Sequence, residues 1–329
     1  MNETTTLALD EPPVEFGYQT TISIFQVVTT ITAFLGLPGN VFAYMTASKF
    51  TQKSSGQTFI KCLAVSDTVA GFQDGFMEAL LAFLGVSFFT LHPLLCRFLG
   101  WFTYFSSSAA GYVLLATAFD RMIAIWKPIW YKQKSKPIRA SITSLALWLV
   151  VGLSMLPNFF EYDLIGTYCN FVDTNPWAFL HGWQFDVYYE FIFIGGFILP
   201  GILMVIVNFL IIYKLKKSSA SVSRKDREVT ICLIVVCVSF LLCLSGLGIL
   251  ARLSLILAQT NPSGANLINY IRKFPAVLNN SMNFYAYFAA SSYFRKTFFE
   301  AIGMAKSDDR RTSTVGSNIR QSGAPVSTK

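Results

Sequence analysis

Charge is scarce in this sequence. Only 13% of its 329 residues are Asp, Glu, Lys or Arg, against 53% hydrophobic and 16% aromatic, and the mean hydropathy is +0.49. Soluble domains carry roughly 25% charged residues, so that class is excluded. Histidine is nearly missing: only His92 and His181 occur, and His181 has no second His or free outer Cys at ligand spacing, which argues against a metal centre there. No nucleophile stands beside a base, so an enzyme is excluded as well. The two halves show no internal repeat, and Asp67 is the one acid in the middle of an apolar run; a transporter or channel would show more of both. The first 19 residues hold no Lys or Arg and no short apolar core, which excludes a cleavable signal peptide. The stretch from Ser307 onwards has no cysteine, and so no site for palmitoylation.

What the chain does have is long apolar runs. Residues 98–119 carry no charge between Arg97 and Asp120, enough at about 1.5 Å per residue to cross a hydrocarbon core. Similar runs lie near 20–48, 58–86, 93–126, 138–158, 187–213, 227–257 and 268–291. They predict an all-α membrane protein: an extracellular disordered arm over 1–19 and a bundle of seven transmembrane helices over 20–291. A short amphipathic helix over 292–303 and a disordered cytoplasmic tail over 304–329 follow. In the amphipathic stretch Phe294, Phe298 and Phe299 face lipid while Arg295 and Lys296 face headgroups. With the arm outside, all but four of the 26 Lys and Arg (Arg97, Arg252, Arg272 and Lys273) fall on the inner side, so the positive-inside rule sets the orientation. The net charge of +8 then reflects topology and an anionic inner leaflet, and nucleic acid is not a partner. Asn2-Glu3-Thr4 is an N-glycosylation sequon on the outer side; a chance tripeptide is the alternative.

Polar residues inside the runs are candidate functional groups, because each is expensive in hydrocarbon. Asn40 and Asp67 lie at mid-depth, and Asp74 and Glu78 continue outward near Asp67's face. Asn279, Asn280 and Asn283 form a polar cluster in the seventh run, within reach of Asp67. Asp120-Arg121 stands where the third run ends, against a bland reading as a snorkelling arginine with its counter-charge. Of six cysteines only Cys96 and Cys169 lie on the oxidising side; one disulfide between them would tie the third helix to the long outer loop, with unpaired thiols as the alternative. That loop is rich in acids, Asp186 and Glu190 among them, and in Tyr and Trp, which favours a cationic partner through steering and cation–π contact, against a merely solvated loop. Pro200 interrupts the fifth helix and allows a local bulge, and Gly246 is a bend point in the sixth.

Over residues 20–303 the chain resembles the rhodopsin-like G-protein-coupled receptors. The resemblance rests on Gly39-Asn40, the LAxxD ending at Asp67, Cys96 placed 25 residues before Arg121, Asp120-Arg121, Trp148, Cys169, Pro200, Phe240 with Cys243, Asn283 with Tyr287, and Phe294. It implies a plasma-membrane receptor with its N-terminus outside, and it favours the Cys96–Cys169 bridge. Arg121 is then held by Asp120, and by Asp226 one helix over, until activation frees it towards the G protein. Ile129 inserts into the G protein, and Tyr287 is the expected partner of the freed arginine. Asp67, Ser106, Asn279, Asn280 and Asn283 resemble the family's allosteric sodium site, although the usual serine of the third helix is Ala110 here. No other cofactor is implied. Receptor kinases and arrestin are implied partners for Ser218, Ser219, Ser221, Ser223, Thr312, Ser313, Thr314 and Ser317, with ordinary solvated linkers as the alternative.

The departures from the family's pattern fall on its switch. DRY is Asp-Arg-Met with Met122, the expected tyrosine after Pro200 is Asn208, CWxP is Cys243-Leu244-Ser245-Gly246, and NPxxY is Asn283-Phe284-Tyr285-Ala286-Tyr287. Thr103 replaces an aminergic aspartate and Val277 a Schiff-base lysine, so neither ligand class fits. The resemblance points instead to a neuropeptide receptor of the invertebrate FMRFamide-like kind, with Asp74, Glu78, Thr103, Asp186, Glu190 and Arg252 around a cationic or amidated peptide. A receptor for a small molecule or lipid is the alternative, with a transporter or channel more distant.

Overall fold

A computed structural model describes residues 16–50, 53–85, 87–166, 168–171, 194–217, 224–258 and 260–304. Asn2, Asp186, Glu190, His181 and the linker and tail serines and threonines lie outside these residues, as do the side chains of Glu78 and Asp226. The elements are α1 (Phe16–Ser48), α2 (Ser55–Gly71), α3 (Met77–Leu84), α4 (Pro93–Trp126), α5 (Pro128–Lys134), α6 (Pro137–Ser154) and α7 (Pro157–Glu161). A hairpin of β1 (Tyr162–Ile165) and β2 (Tyr168–Phe171) follows, then α8 (Leu199–Lys217), α9 (Arg224–Ala258), α10 (Pro262–Ile271), α11 (Lys273–Ser281), α12 (Asn283–Ala290) and α13 (Ser292–Ala301). Among the described residues four segments meet length and hydropathy limits for crossing a membrane: Tyr18–Ser48, Pro93–Trp126, Pro137–Glu161 and Ile194–Lys217. The α2–α3 segment, α9 and α10–α12 make up the other three spans of the seven-helix bundle.

The helices begin where local chemistry can satisfy their first N–H groups. Ser54 caps α2 by accepting from the Gln57 N–H, His92 Nδ1 accepts from Leu94 N–H at 3.1 Å ahead of Pro93, and Asn261 caps α10 ahead of Pro262. Helix α1 starts at Phe16, inside the stretch read from sequence as a disordered arm. The bundle is apolar outside. Along α6, Ile138, Ile142, Leu145, Leu149 and Leu153 are each 60–69% exposed at helical spacing, a stripe that only lipid can cover. Asn40, Asp67, Asn280 and Asn283 are buried, together with Leu63, Val113, Met204, Val236 and Phe240.

Two π-turns bend the scaffold. One, Ile194–Ile198, lies just before Pro200, where the sequence predicts a bulge. Its freed Gly195 carbonyl accepts from the Tyr112 hydroxyl at 2.6 Å, so the proline leaves no orphan there. The other, Phe72–Phe76, has no proline and is not signalled in the sequence; it interrupts the second span at Asp74. Helix α9 continues through Gly246 without a break in its helical assignment. The seventh span breaks at Met282, next to Asn283, although the family's proline is absent.

Candidate functional site

At the outer end of α4, three neighbouring residues hold the β-hairpin. Cys96 and Cys169 form a disulfide. Arg97 donates to Asp163 at 2.6 Å, and this guanidinium holds the half-exposed Asp163 carboxyl below its usual range. Gly100 lies under the Tyr162 ring, where a Cβ would fall 2.5 Å from a ring carbon. The hairpin is thus fixed over the bundle's mouth.

Beneath it is a cavity of about 230 Å³ between α3, α4 and α11. Asp74 and Thr103 line it, and Arg252 is not among its described lining residues. Arg272 and Lys273 line it as well, so among the described residues the cavity holds both an acid and cations. The π-turn carries Gln73 and Asp74 inward: Gln73 Nε2 donates to Thr103 Oγ1 at 3.0 Å, and Ser107 donates to Asp74 Oδ2 at 3.3 Å.

At mid-depth Asn283 donates to the buried Asp67 carboxylate, and Asn40 donates to the Asn280 carbonyl at 3.0 Å. Asn279 donates to Asn280 Oδ1 at 3.3 Å. Ser106 turns back to the Thr103 carbonyl at 3.3 Å. The Asn283 amide thus occupies one oxygen of Asp67, and the Ser106 hydroxyl donates within its own helix.

At the inner end the Asp120-Arg121 pair is nine-tenths buried and closed on all sides. Arg121 Nη2 donates to Asp120 Oδ2 at 2.7 Å and to Tyr131 Oη at 2.8 Å, and Tyr131 donates to Asp120 Oδ2 at 2.8 Å. The Ser55 hydroxyl donates to Asp120 Oδ1 and lies 2.8 Å from the Ser135 hydroxyl. Such a buried pair survives only because both charges are hydrogen-bonded as well as paired. Arg121 fits because residue 56 is glycine: a Cβ there would fall 1.2 Å from Nη2. Ser55, Gly56, Tyr131 and Ser135 are absent from the sequence reading. Tyr131 left one signal, its place ten residues after Arg121 in the turn of helix that Pro128 starts. On the same face Ile129 is 76% exposed.

A second inner contact was also missed. Glu228, near the start of α9, accepts from Ser292 Oγ at 2.8 Å, Ser291 Oγ at 3.3 Å and the Tyr293 N–H at 3.0 Å. It therefore sits on the N-terminus of α13, where free N–H groups and the helix dipole favour an anion. Arg295 in turn donates to the Phe288 and Ala289 carbonyls at 2.8 and 2.9 Å, closing the end of α12. Tyr287 is buried, and its hydroxyl has no hydrogen-bond partner among the described residues.

Known proteins are similar to this chain in sequence. A family model described as 7 transmembrane receptor (rhodopsin family) matches residues 39–284. The C3a anaphylatoxin chemotactic receptor of Cavia porcellus is 28% identical over 44% of this chain and 30% of that receptor. G-protein coupled receptor 52 of Mus musculus is 25% identical over 62% of this chain and 56% of its own length. The C5a anaphylatoxin chemotactic receptor 1 of Danio rerio is 21% identical over 82% of this chain and 77% of its own. The chain thus spans about a third and about half of the first two relatives. With the family model covering well over half of its length, across the helices that carry the outer disulfide and the inner Asp-Arg pair, the chain belongs to the rhodopsin family of seven-transmembrane receptors.

Proposed function

We propose that this receptor couples an extracellular peptide ligand to a heterotrimeric G protein through outward movement of the inner end of α9. The observation that carries the reading is the closed Ser55–Asp120–Arg121–Tyr131 network at the inner face, with a separate polar cavity at the outer face. A ligand that fits the cavity better when α9 has moved shifts the population; going from 1:99 to 99:1 requires about 10⁴-fold, roughly 5.5 kcal/mol, of preference. Arg121 leaves Asp120 as the groove opens, and exposed Ile129 beside it offers an apolar contact for the G protein. The likeness to receptors named for the C3a and C5a anaphylatoxins supports a peptide, and Asp74 would face its basic groups.

The test is second-messenger output in cells expressing the chain with a promiscuous G protein, with and without a peptide library, beside Arg121→Ala. A peptide-dependent response lost in Arg121→Ala supports the reading. Surface expression without any response, basal or evoked, sinks it.

Tyr287→Phe separates the two states. In the closed form the hydroxyl makes no bond among the described residues, so thermal stability should be unchanged or slightly higher. In the active form the hydroxyl would meet the freed Arg121, and a hydrogen bond to a charged group contributes about 1.5–3 kcal/mol, so the response should fall roughly tenfold or more. Equal responses from Tyr287→Phe and the parent would remove Tyr287 from the mechanism.

A further inference from the structure

The outer cavity of about 230 Å³ takes its charges from two places in the fold. Asp74 comes from the π-turn of the second span, whereas Arg272 and Lys273 come from the junction of α10 and α11; all three are half-buried. The neutral polar groups beside Asp74 engage one another: Gln73 donates to Thr103, Thr103 donates to the Leu99 carbonyl at 2.9 Å, and Ser107 donates to Asp74 itself. Arg272 is set differently. Its Nε donates to Asn269 Oδ1 at 2.9 Å, which fixes the plane of the guanidinium, and among the described residues its two Nη groups give no further bond. Beside it the Lys273 ammonium lies 4.9 Å from the Tyr270 ring centroid.

Two cations and one acid leave the described lining with an excess of positive charge, which a complementary ligand meets with an anion. A carboxylate suits the Arg272 fork, because its two oxygens accept two parallel N–H bonds, and Lys273 adds a point charge beside them. Size decides where on the ligand that carboxylate sits. Pockets that hold a whole small molecule run about 300–1,000 Å³; this one is smaller and lies under the pinned hairpin, so it admits the end of a chain and not its middle. We propose, resting on the peptide reading above, that the cavity selects a peptide with a free C-terminal carboxylate. Arg272 and Lys273 hold that carboxylate, and Asp74 takes a basic group near the same end. A C-terminal amide carries no charge and turns N–H donors towards N–H donors, leaving both cations without their anion. The cavity thus disfavours the amidated peptides that the resemblance suggests.

Cells expressing the full chain with a promiscuous G protein are given two matched peptide libraries, identical in sequence and ending in a free acid or an amide, and separately a mixture of free amino acids. Free-acid peptides are expected to evoke the response, with the amide of each active sequence roughly tenfold or more weaker. Arg272→Gln should lower the potency of the free-acid peptide by roughly ten- to hundredfold and leave that of its amide unchanged, so that the two converge. A merely structural role would lower both alike. Should Arg272→Gln fail to reach the surface, Lys273→Gln must narrow the same gap. Amides as potent as acids, a gap that survives these variants, or an equal loss for acid and amide overturns the carboxylate assignment and leaves the peptide reading standing. A response to the amino acids alone overturns the assignment to a chain end. Silence towards both libraries overturns the peptide reading and this assignment with it.

Discussion

Gly56→Ala should raise ligand-independent signalling more than any other single change at the inner face. The new Cβ would lie 1.2 Å from Arg121 Nη2, 2.2 Å from Cζ and 2.9 Å from Nε, so one of them has to move. The guanidinium is the end of a flexible side chain and moves most cheaply, whereas the α2 backbone is held by its own ladder. Alanine is also the better helix former by about 1 kcal/mol, so α2 itself does not object. Arg121 then loses the bonds to Asp120 and Tyr131, and separating a buried pair costs about 3–5 kcal/mol. That penalty falls on the closed state alone. At about 1.4 kcal/mol per factor of ten it shifts the equilibrium by roughly 10²-fold or more, enough to make a 1:99 receptor mostly active. Basal second-messenger output, normalised to surface expression, is the measurement. Parental output together with parental thermal stability would mean that Arg121 is accommodated elsewhere without loss.

Glu228→Gln should act in the same direction by a different route. The carboxylate bridges the inner end of α9 to the first turn of α13, two segments that any outward swing of α9 must separate. Glutamine keeps the size and one acceptor but loses the charge, and charge-assisted bonds are about twice as strong as neutral ones. A loss of about 1–2 kcal/mol raises the basal output roughly five- to thirtyfold. Spin labels on the inner ends of α9 and α13 should report a longer mean distance without ligand. If basal and maximal output instead fall together with surface expression, the contact serves folding and the gating role is gone. Ser291 is the control: it caps α13 by accepting from the Phe294 N–H at 3.0 Å, so Ser291→Ala should lower stability as well as loosen the clasp.

Neither contact was legible in the chain. Glu228 reads as one acid in a basic linker, and its partners are 63–65 residues away. Ser55 and Gly56 carry no mark in the chain that sets them apart. The mixed charge of the outer cavity was hidden too: Arg272 and Lys273 were visible as outer cations, but which way they turn depends on how α10 and α11 pack against α9. The π-turn at Phe72–Phe76 has no proline to announce it, unlike the bulge before Pro200.

The sequence alone determined the membrane class, a set of candidate spans with an expected inner side, the candidate cysteine pair and the presence of an Asp-Arg pair at the end of the third run. Each is a local or additive property: transfer free energy summed over about 20 residues, a count of cations, a residue at a helix end. The tertiary structure alone decided that Ser55 and Tyr131 close on Asp120 and Arg121, that Glu228 caps α13, and that Asn283 meets Asp67. The reason is directional. A hydrogen bond forms only within about 3.2 Å and near-linear geometry, so its partners are fixed by how helices distant in sequence are turned against one another, and hydropathy says nothing of that angle.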